Sequence, residues 1–382
     1  MDLKADSILK PPSKKDRESM AGVIREWLQS GQFIPIEDID LLPLATDERL
    51  GPVALKGKRA EVFFMRSSGD QLWVIKKFIS NDPAQIEFRD SVKALIPHRP
   101  GFEAGYLRKV LSLESISNPD FREPHLSEWI DNAVLMPAVA GVNWSVISHD
   151  VRDGRQYLPK KNRISLVRSL CEKVRWLEGQ DLSHRDLSAP NVLVDLKEAD
   201  VHLVDWDSIF HPSLTMPEDL TRGTRGYIAP FLNVRGVADG RHTWKEHADR
   251  FHLALLNAEI LSITESFPTT GESGMCDQDE LYNRSGPCLD AILTSLKSDY
   301  ARAATLLEQA LGASSFDECP EPSHWIESVG AMSAVPTKPI PIRDRPAFAQ
   351  LNQKGFTRLN ESVFAKLNRY GFAQQPYRMK TS

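Results

Sequence analysis

Two short polar strings in this 382-residue chain have the residue types and spacing to do chemistry. The first is His184-Arg185-Asp186-Leu187-Ser188-Ala189-Pro190-Asn191. The second, fourteen residues after Asn191, is Asp205-Trp206-Asp207. Together they place carboxylates and a carboxamide on two short loops joined by a hairpin. Hard oxygen donors of this kind suit Mg2+ held against a nucleotide triphosphate. A carboxylate beside them can receive the proton of an incoming hydroxyl. The bland alternative is a polar loop that caps two strands.

The elements that must position these loops change character along the chain. A short amphipathic helix is expected over Met20–Leu28, with Ala21, Ile24, Trp27 and Leu28 on one face. From Val53 to Ile79 the pattern is that of strands. Val62-Phe63-Phe64-Met65 and Leu72-Trp73-Val74-Ile75 flank the turn Ser67-Ser68-Gly69-Asp70, which predicts a hairpin. A helix is expected over Pro83–Leu95, a strand over Ala133–Met136, and a long amphipathic helix over Ile164–Leu177 just before the first string. Strand-rich sequence thus gives way to helix-rich sequence with the polar strings at the junction, an α+β layout with two lobes.

Composition sets outer limits. With 41% hydrophobic and 26% charged residues and a formal charge of −5, the chain has the make-up of a globular protein. That charge points away from nucleic-acid binding. No run approaches the roughly 20 apolar residues of a membrane span, and the first thirty residues hold no apolar stretch like a signal peptide. Cys171, Cys276, Cys288 and Cys319 lack C-x-x-C spacing, so reduced thiols in a cytoplasmic protein are expected rather than a disulfide frame or zinc site. Pro336, Pro339, Pro341 and Pro346 mark an extended linker. Residues 337–382 carry nine Lys/Arg against two Asp/Glu, a net +7 that leaves −12 for the remainder. That tail either docks on an acidic surface or is a solvated basic helix near Glu361–Tyr370.

The string HRDLxxxN resembles the catalytic loop of the protein kinases. Other motifs in the same order extend the resemblance from about Val53 to Val329, to divergent eukaryotic-type serine/threonine protein kinases of the bacterial kind. It implies a two-lobed fold: an N-terminal extension (1–50), a strand-rich lobe and hinge (51–139), a helical lobe (140–331) and a linker with a basic tail (332–382). It also implies ATP and Mg2+ as cofactors.

Residue by residue, the resemblance makes Lys76 of Trp73-Val74-Ile75-Lys76 the lysine that holds the α- and β-phosphates. Strand alternation then sends Lys77 to the opposite face and into solvent. Glu87 on the following helix is the candidate partner of Lys76; otherwise Glu87 and Arg89 are surface charges. Leu55-Lys56-Gly57-Lys58-Arg59-Ala60 stands where the family has its glycine-rich loop, with Gly57 alone retained. Ala133–Gly141 resembles the strand and hinge that meet adenine. There Met136 is the gatekeeper, Pro137 offers only a carbonyl, and Val139 keeps its N–H. Val62, Val74 and Leu193 would sandwich the ring, or serve as ordinary core. Asp186 would orient the acceptor hydroxyl, and Asn191 and Asp205 would bind the metal ions.

Departures bear on the substrate. Ser188 replaces the lysine two residues past the catalytic Asp, and Asp205-Trp206-Asp207 replaces DFG. Trp206 can fill the apolar slot of the Phe; Asp207 either adds a metal-side carboxylate or faces solvent. Both changes resemble kinase-like small-molecule phosphotransferases. Against them, Gly223-Thr224-Arg225-Gly226-Tyr227-Ile228-Ala229-Pro230 looks like the peptide-receiving loop of serine/threonine kinases, with Thr224 bonded to Asp186. Asp249 matches the aspartate that caps backbone N–H groups of the HRD turn. Phe231 and Cys319 together replace a buried Glu–Arg pair. Arg185 resembles the arginine of kinases switched by loop phosphorylation, with Ser213, Thr215 and Thr221 as candidate sites.

The expectation is an ATP-dependent serine/threonine protein kinase. A small-molecule phosphotransferase and an ATP-binding pseudokinase scaffold are the alternatives. A protein substrate and, by resemblance, a PP2C-type phosphatase are the expected partners, with no nucleic acid and no membrane.

Overall fold

A computed structural model describes residues 14–44, 54–56, 59–79, 83–119, 124–217, 222–232 and 240–330. Gly57, Lys58, Thr221 and the basic tail lie outside these residues. The described chain mixes antiparallel strands with helices, as an α+β protein does. Its helices are α1 (Lys14–Ser30), α2 (Pro83–Leu95), α3 (Glu103–Tyr106), α4 (Pro124–Ile130), α5 (Trp144–Arg152), α6 (Lys160–Glu178), α7 (Arg250–Ser262), α8 (Gln278–Asn283), α9 (Pro287–Asp299), α10 (Ala301–Gly312) and α11 (Pro322–Ser328). Among the described residues, no helix is long and apolar enough to cross a membrane.

The chain divides into two compact units. Of the described residues, one takes those from Lys14 to Asp90 together with Leu107–Ala138; the other takes Ser91–Tyr106 and those from Val139 to Gly330.

The first unit is built on an antiparallel sheet of β1 (Ile34–Ile36), β2 (Ile39–Pro43), β3 (Ala54–Lys56), β4 (Ala60–Ser67), β5 (Leu72–Phe78), β6 (Lys109–Val110) and β7 (Val134–Pro137), in the order β1-β2-β4-β5-β7-β6 with β3 on β4. The predicted hairpin is β4–β5, with Val62 opposite Lys76 and Phe64 opposite Val74. Phe63, Met65, Ile75 and Leu135 alternate to one face. There they join Ile24 and Trp27 of α1 and Leu126, Trp129 and Ile130 of α4 in one apolar core. Phe63 and Trp129 meet edge to face, 5.2 Å between ring centres. The helix expected over Met20–Leu28 is longer, because the good helix formers Lys14, Lys15, Arg17 and Glu18 continue it upstream.

This cover corrects one expectation. Lys77 shares the face of Ile75 and, instead of reaching solvent, is 5% exposed. Its Nζ donates to the Asp131 carbonyl at 2.6 Å. Burial holds its pKa down at about 8, against the pull of the Asp131 charge. Strand alternation assigned the face correctly; that α1 and α4 would cover it was not visible locally. Arg89 is likewise no surface charge. It is buried, with its guanidinium 3.4 Å over the Phe78 ring and bonded to Gln85 at 2.9 Å.

The second unit is organised around α7, whose thirteen residues are all buried. A helix buried on every side belongs at the centre of a domain, and α6, α9, α10 and α11 pack against it. A second antiparallel sheet orders β8 (Val142–Asn143), β9 (Val192–Asp195) and β10 (Asp200–Leu203) as β10-β9-β8. Lys173 of α6 donates to Asp200 at 2.7 Å and so fixes the start of β10.

Candidate active site

The β9–β10 hairpin determines the geometry. Its register pairs Val192 with Leu203, and beyond that pair the Val204 N–H donates to the Asn191 carbonyl at 3.0 Å. The open end of the hairpin therefore sets the 184–191 loop beside Asp205. Both loops carry backbone that only a well-supported structure keeps: Arg185 and Asp205 are left-handed, at φ 65° and 67°.

The support comes from beneath. Asp249, just ahead of α7, accepts the backbone N–H of His184 at 2.5 Å and of Arg185 at 2.8 Å. Burial raises its pKa to about 7, while the two N–H bonds pull the other way. His184 Nε2 lies 2.9 Å from the Val204 carbonyl, which ties the two loops directly. Trp206 is buried; its Nε1 donates to the Leu203 carbonyl at 3.1 Å. Its ring lies 4.9 Å from that of His184 and 5.5 Å from that of Phe102. Trp206 thus fills an apolar slot, whereas Asp207 is half-buried in the turn after it.

At the surface of this platform stands Asp186. Thr224 Oγ1 donates to its Oδ1 at 2.8 Å, and Asn191 Nδ2 donates to its Oδ2 at 3.2 Å and to its carbonyl at 2.8 Å. Burial raises the Asp186 pKa to about 6, and the neighbouring Asp205 charge adds to the rise. The bonds from Thr224 and Asn191 oppose it. Oxygen donors gathered on two adjoining loops suit a hard cation. With the amide nitrogen of Asn191 committed to Asp186, its oxygen is the side a cation would take. Asn191 and Asp205 thus fit Mg2+, which prefers oxygen donors and keeps several waters. Ser188 is fully buried, its Oγ 3.4 Å from the Asp186 carbonyl, so this position presents no group to a substrate.

Thr224 arrives on a loop held from two sides. Gln278 Oε1 accepts the N–H of Gly226 at 2.9 Å and of Ile228 at 3.1 Å, and its Nε2 donates to the Ile228 carbonyl at 2.7 Å. The buried Tyr227 hydroxyl donates to Glu259 Oε2 at 2.9 Å, an oxygen that Trp144 also reaches at 2.9 Å. Gly223 has φ +106°, and a Cβ there would lie 3.3 Å from the His252 ring. Gln278 and Glu259 escaped the sequence reading. Glu259 alone left a signal, the one carboxylate of the Arg250–Ser262 run.

The Arg185 guanidinium is committed to groups of its own fold. It donates to the carbonyls of Thr243 (2.8 Å), Ser208 (2.7 Å) and Gly240 (3.4 Å) and to Thr243 Oγ1 (2.6 Å). It also lies 4.9 Å from the centre of the Trp244 ring. Where a buried Glu–Arg pair was expected to be absent, Phe231 packs edge to face on Phe316 at 4.9 Å, and Cys319 is buried. Nearby, Arg250 pairs with Glu178, bidentate at 2.8 and 3.1 Å.

The remaining predicted residues fall in the first unit, except for two. Val62, Val74, Lys76 and Met136 share one sheet face by register, with Lys76 opposite both Val62 and Val134. Lys76 Nζ lies 5.3 Å from the centre of the Phe78 ring. Pro137 closes β7 and is buried; Glu87 is exposed on α2. Val139 and Leu193, both half-buried, belong to the second unit.

No protein-family model matches the chain. It is similar to the serine/threonine-protein kinase csk1 of Schizosaccharomyces pombe, 24% identical over 222 residues that make up 57% of this chain and 64% of that protein. The chain thus spans just under two thirds of that relative's length. At this identity the similarity supports a distant kinase-like relationship and, coarsely, phosphoryl transfer.

Proposed function

We propose that the chain transfers the γ-phosphoryl group of ATP to serine or threonine hydroxyls of a protein substrate. The observation that carries this reading is the 2.8 Å bond from Thr224 to Asp186. It joins the peptide-receiving motif to the candidate base across 38 residues of sequence. Small-molecule phosphotransferases have no use for such a loop.

In this mechanism Asp186 accepts the hydrogen bond and then the proton of the acceptor hydroxyl. That oxygen forms a bond to the γ-phosphorus as the bond to the β–γ bridging oxygen breaks, and ADP leaves. Thr224 and Asn191 fix the Asp186 carboxylate so that one oxygen edge faces the acceptor. Asn191 and Asp205 would hold Mg2+, which when bound neutralises phosphate charge. Lys76 would hold the α- and β-phosphates. Gly57 would lie over them. Val62, Val74, Met136, Pro137, Val139 and Leu193 would receive the adenine. Positioning and charge neutralisation supply most of the rate.

The test is Asp186→Asn in the full chain, with Mg-ATP and phosphosite mapping by mass spectrometry. Transfer should fall on the order of 10²–10⁴-fold while ATP binding survives. An Asp186→Asn protein that phosphorylates as fast as wild type would falsify the assignment. Burial of Ser188, which leaves no cation two residues past the base, favours a second reading, phosphorylation of a small hydroxylated metabolite. Assaying peptides beside hydroxylated metabolites separates the two. A cytoplasmic setting and a PP2C-type phosphatase partner belong to the first reading. Cell fractionation tests the setting, and reversal of autophosphorylation by such a phosphatase tests the partner.

A further inference from the structure

The four cysteines are free thiols, and two of them meet: Cys276 Sγ lies 3.2 Å from Cys288 Sγ. Cys276 sits in the segment that holds the Thr224 loop. One residue before it, the Met275 N–H donates to Glu259 at 2.9 Å, and the Met275 carbonyl accepts from Thr269 Oγ1 at 2.8 Å. Two residues after it stands Gln278, which clasps Gly226 and Ile228. Cys288 stands in the first turn of α9. The pair therefore bridges the clasp and a helix that packs on the central α7.

We propose that Cys276 and Cys288 are a modification site, closed by hydrogen peroxide into a disulfide that staples the Gln278 clasp to α9. Sulfurs in a disulfide stand about 2.05 Å apart, so an approach of about 1 Å is needed. Cys276, 3% exposed against 0% for Cys288, meets the oxidant first. Its sulfur attacks one peroxide oxygen, the O–O bond breaks, and a sulfenic acid and water form. The Cys288 sulfur then displaces the sulfenic oxygen as a second water, and the S–S bond forms. Two thiols are oxidised, one peroxide is reduced, and two waters leave.

Glu280 shares this buried cluster, which raises the alternative of a metal site. Its carboxylate, however, is engaged by α9: Leu289 N–H donates to Oε2 at 3.0 Å and Cys288 N–H lies 3.5 Å from Oε1. A structural zinc also takes four ligands, and these residues offer three. The bond to the Cys288 sulfur, and burial, hold the Cys276 thiol above its usual range, so closure is slow compared with an exposed thiolate.

The disulfide stands whether or not the chain transfers phosphate, and the test needs no activity. Reduced full-length protein is treated with hydrogen peroxide, free thiols are alkylated under denaturing conditions, and the non-reduced digest is read by mass spectrometry. A linked Cys276–Cys288 peptide is expected, lost with dithiothreitol and absent from Cys288→Ser. Amide exchange at Gly226 and Ile228 should slow several-fold in the oxidised protein, since both N–H groups hang on Gln278. The wild-type peptide map decides the linkage even if Cys288→Ser folds poorly. Alkylation of both cysteines after peroxide, or a link through Cys171 or Cys319, overturns the proposal. So does stoichiometric zinc bound to the untreated protein, and so does a linkage that leaves exchange at Gly226 and Ile228 unchanged.

Discussion

Thr224 Oγ1 donates to Asp186 Oδ1 at 2.8 Å, and Asn191 Nδ2 reaches the other oxygen of the same carboxylate at 3.2 Å. Two donors from segments far apart in sequence thus fix the plane of one acid. Thr224→Val keeps the shape and removes one donor. In the proposed reaction it should lower turnover about 10- to 100-fold, because a misplaced reacting group costs rate steeply. Thr224→Ser should retain most of it. Steady-state kinetics on the variants, with unfolding midpoints near wild type, checks this.

Asp249 holds two buried N–H groups, those of His184 and Arg185. Asp249→Ala leaves both without their acceptor, and each such loss costs roughly 1–3 kcal/mol. A destabilisation of about 2–5 kcal/mol is expected in urea unfolding. Asp249→Asn should cost less, since one amide oxygen still accepts. Equal loss in the two variants would show that packing, not hydrogen bonding, holds the turn.

Loop phosphorylation acts by offering an arginine a new anionic partner. The Arg185 guanidinium already has four acceptors in Thr243, Ser208 and Gly240. Protein treated with a non-specific phosphatase should therefore transfer phosphate within about twofold of the untreated rate. Arg185→Met should instead unfold at lower urea than wild type, because buried carbonyls lose their donors. A large drop in activity on phosphatase treatment would contradict this placement.

Lys77 gives a pH dependence of known sign. Its pKa falls from 10.5 to about 8 on folding because burial penalises the charged form. Between those values the unfolded chain binds more protons, so stability rises with pH. The gain is fully present above the unfolded value and is lost as pH falls through about 8. Relative to Lys77→Met, wild type should gain up to about 3 kcal/mol across that window. Urea titrations of both proteins at several pH values measure it, and parallel curves would refute it.

The β4–β5 hairpin, α2 and α6 were legible because each is a local pattern: alternation around a turn, or an amphipathic period. Lys77 was expected in solvent, and it is buried, for a related reason. Alternation gives the face of a strand, but exposure depends on which distant segments cover that face. Here α1 and α4, separated by about a hundred residues, pack over Ile75 and Leu135 together. Gln278 left no trace in sequence, since its clasp on Gly226 and Ile228 spans about fifty residues. Cys276 and Cys288 were scattered by spacing and adjacent in space.

By itself the sequence determined the chemical inventory: Asp186, Asn191 and Asp205 around a hairpin, and Thr224 on a glycine-flanked loop. Residue type and short-range spacing suffice for that, because β9 and β10 bring their own flanks together. Only the tertiary structure decided what each charge is used for. Arg185 turned to carbonyls, Asp249 to the N–H groups beneath the loop, and Lys77 to the interior. A buried charge or N–H must be satisfied by whatever group folding brings to it, and those partners came from segments far away in sequence.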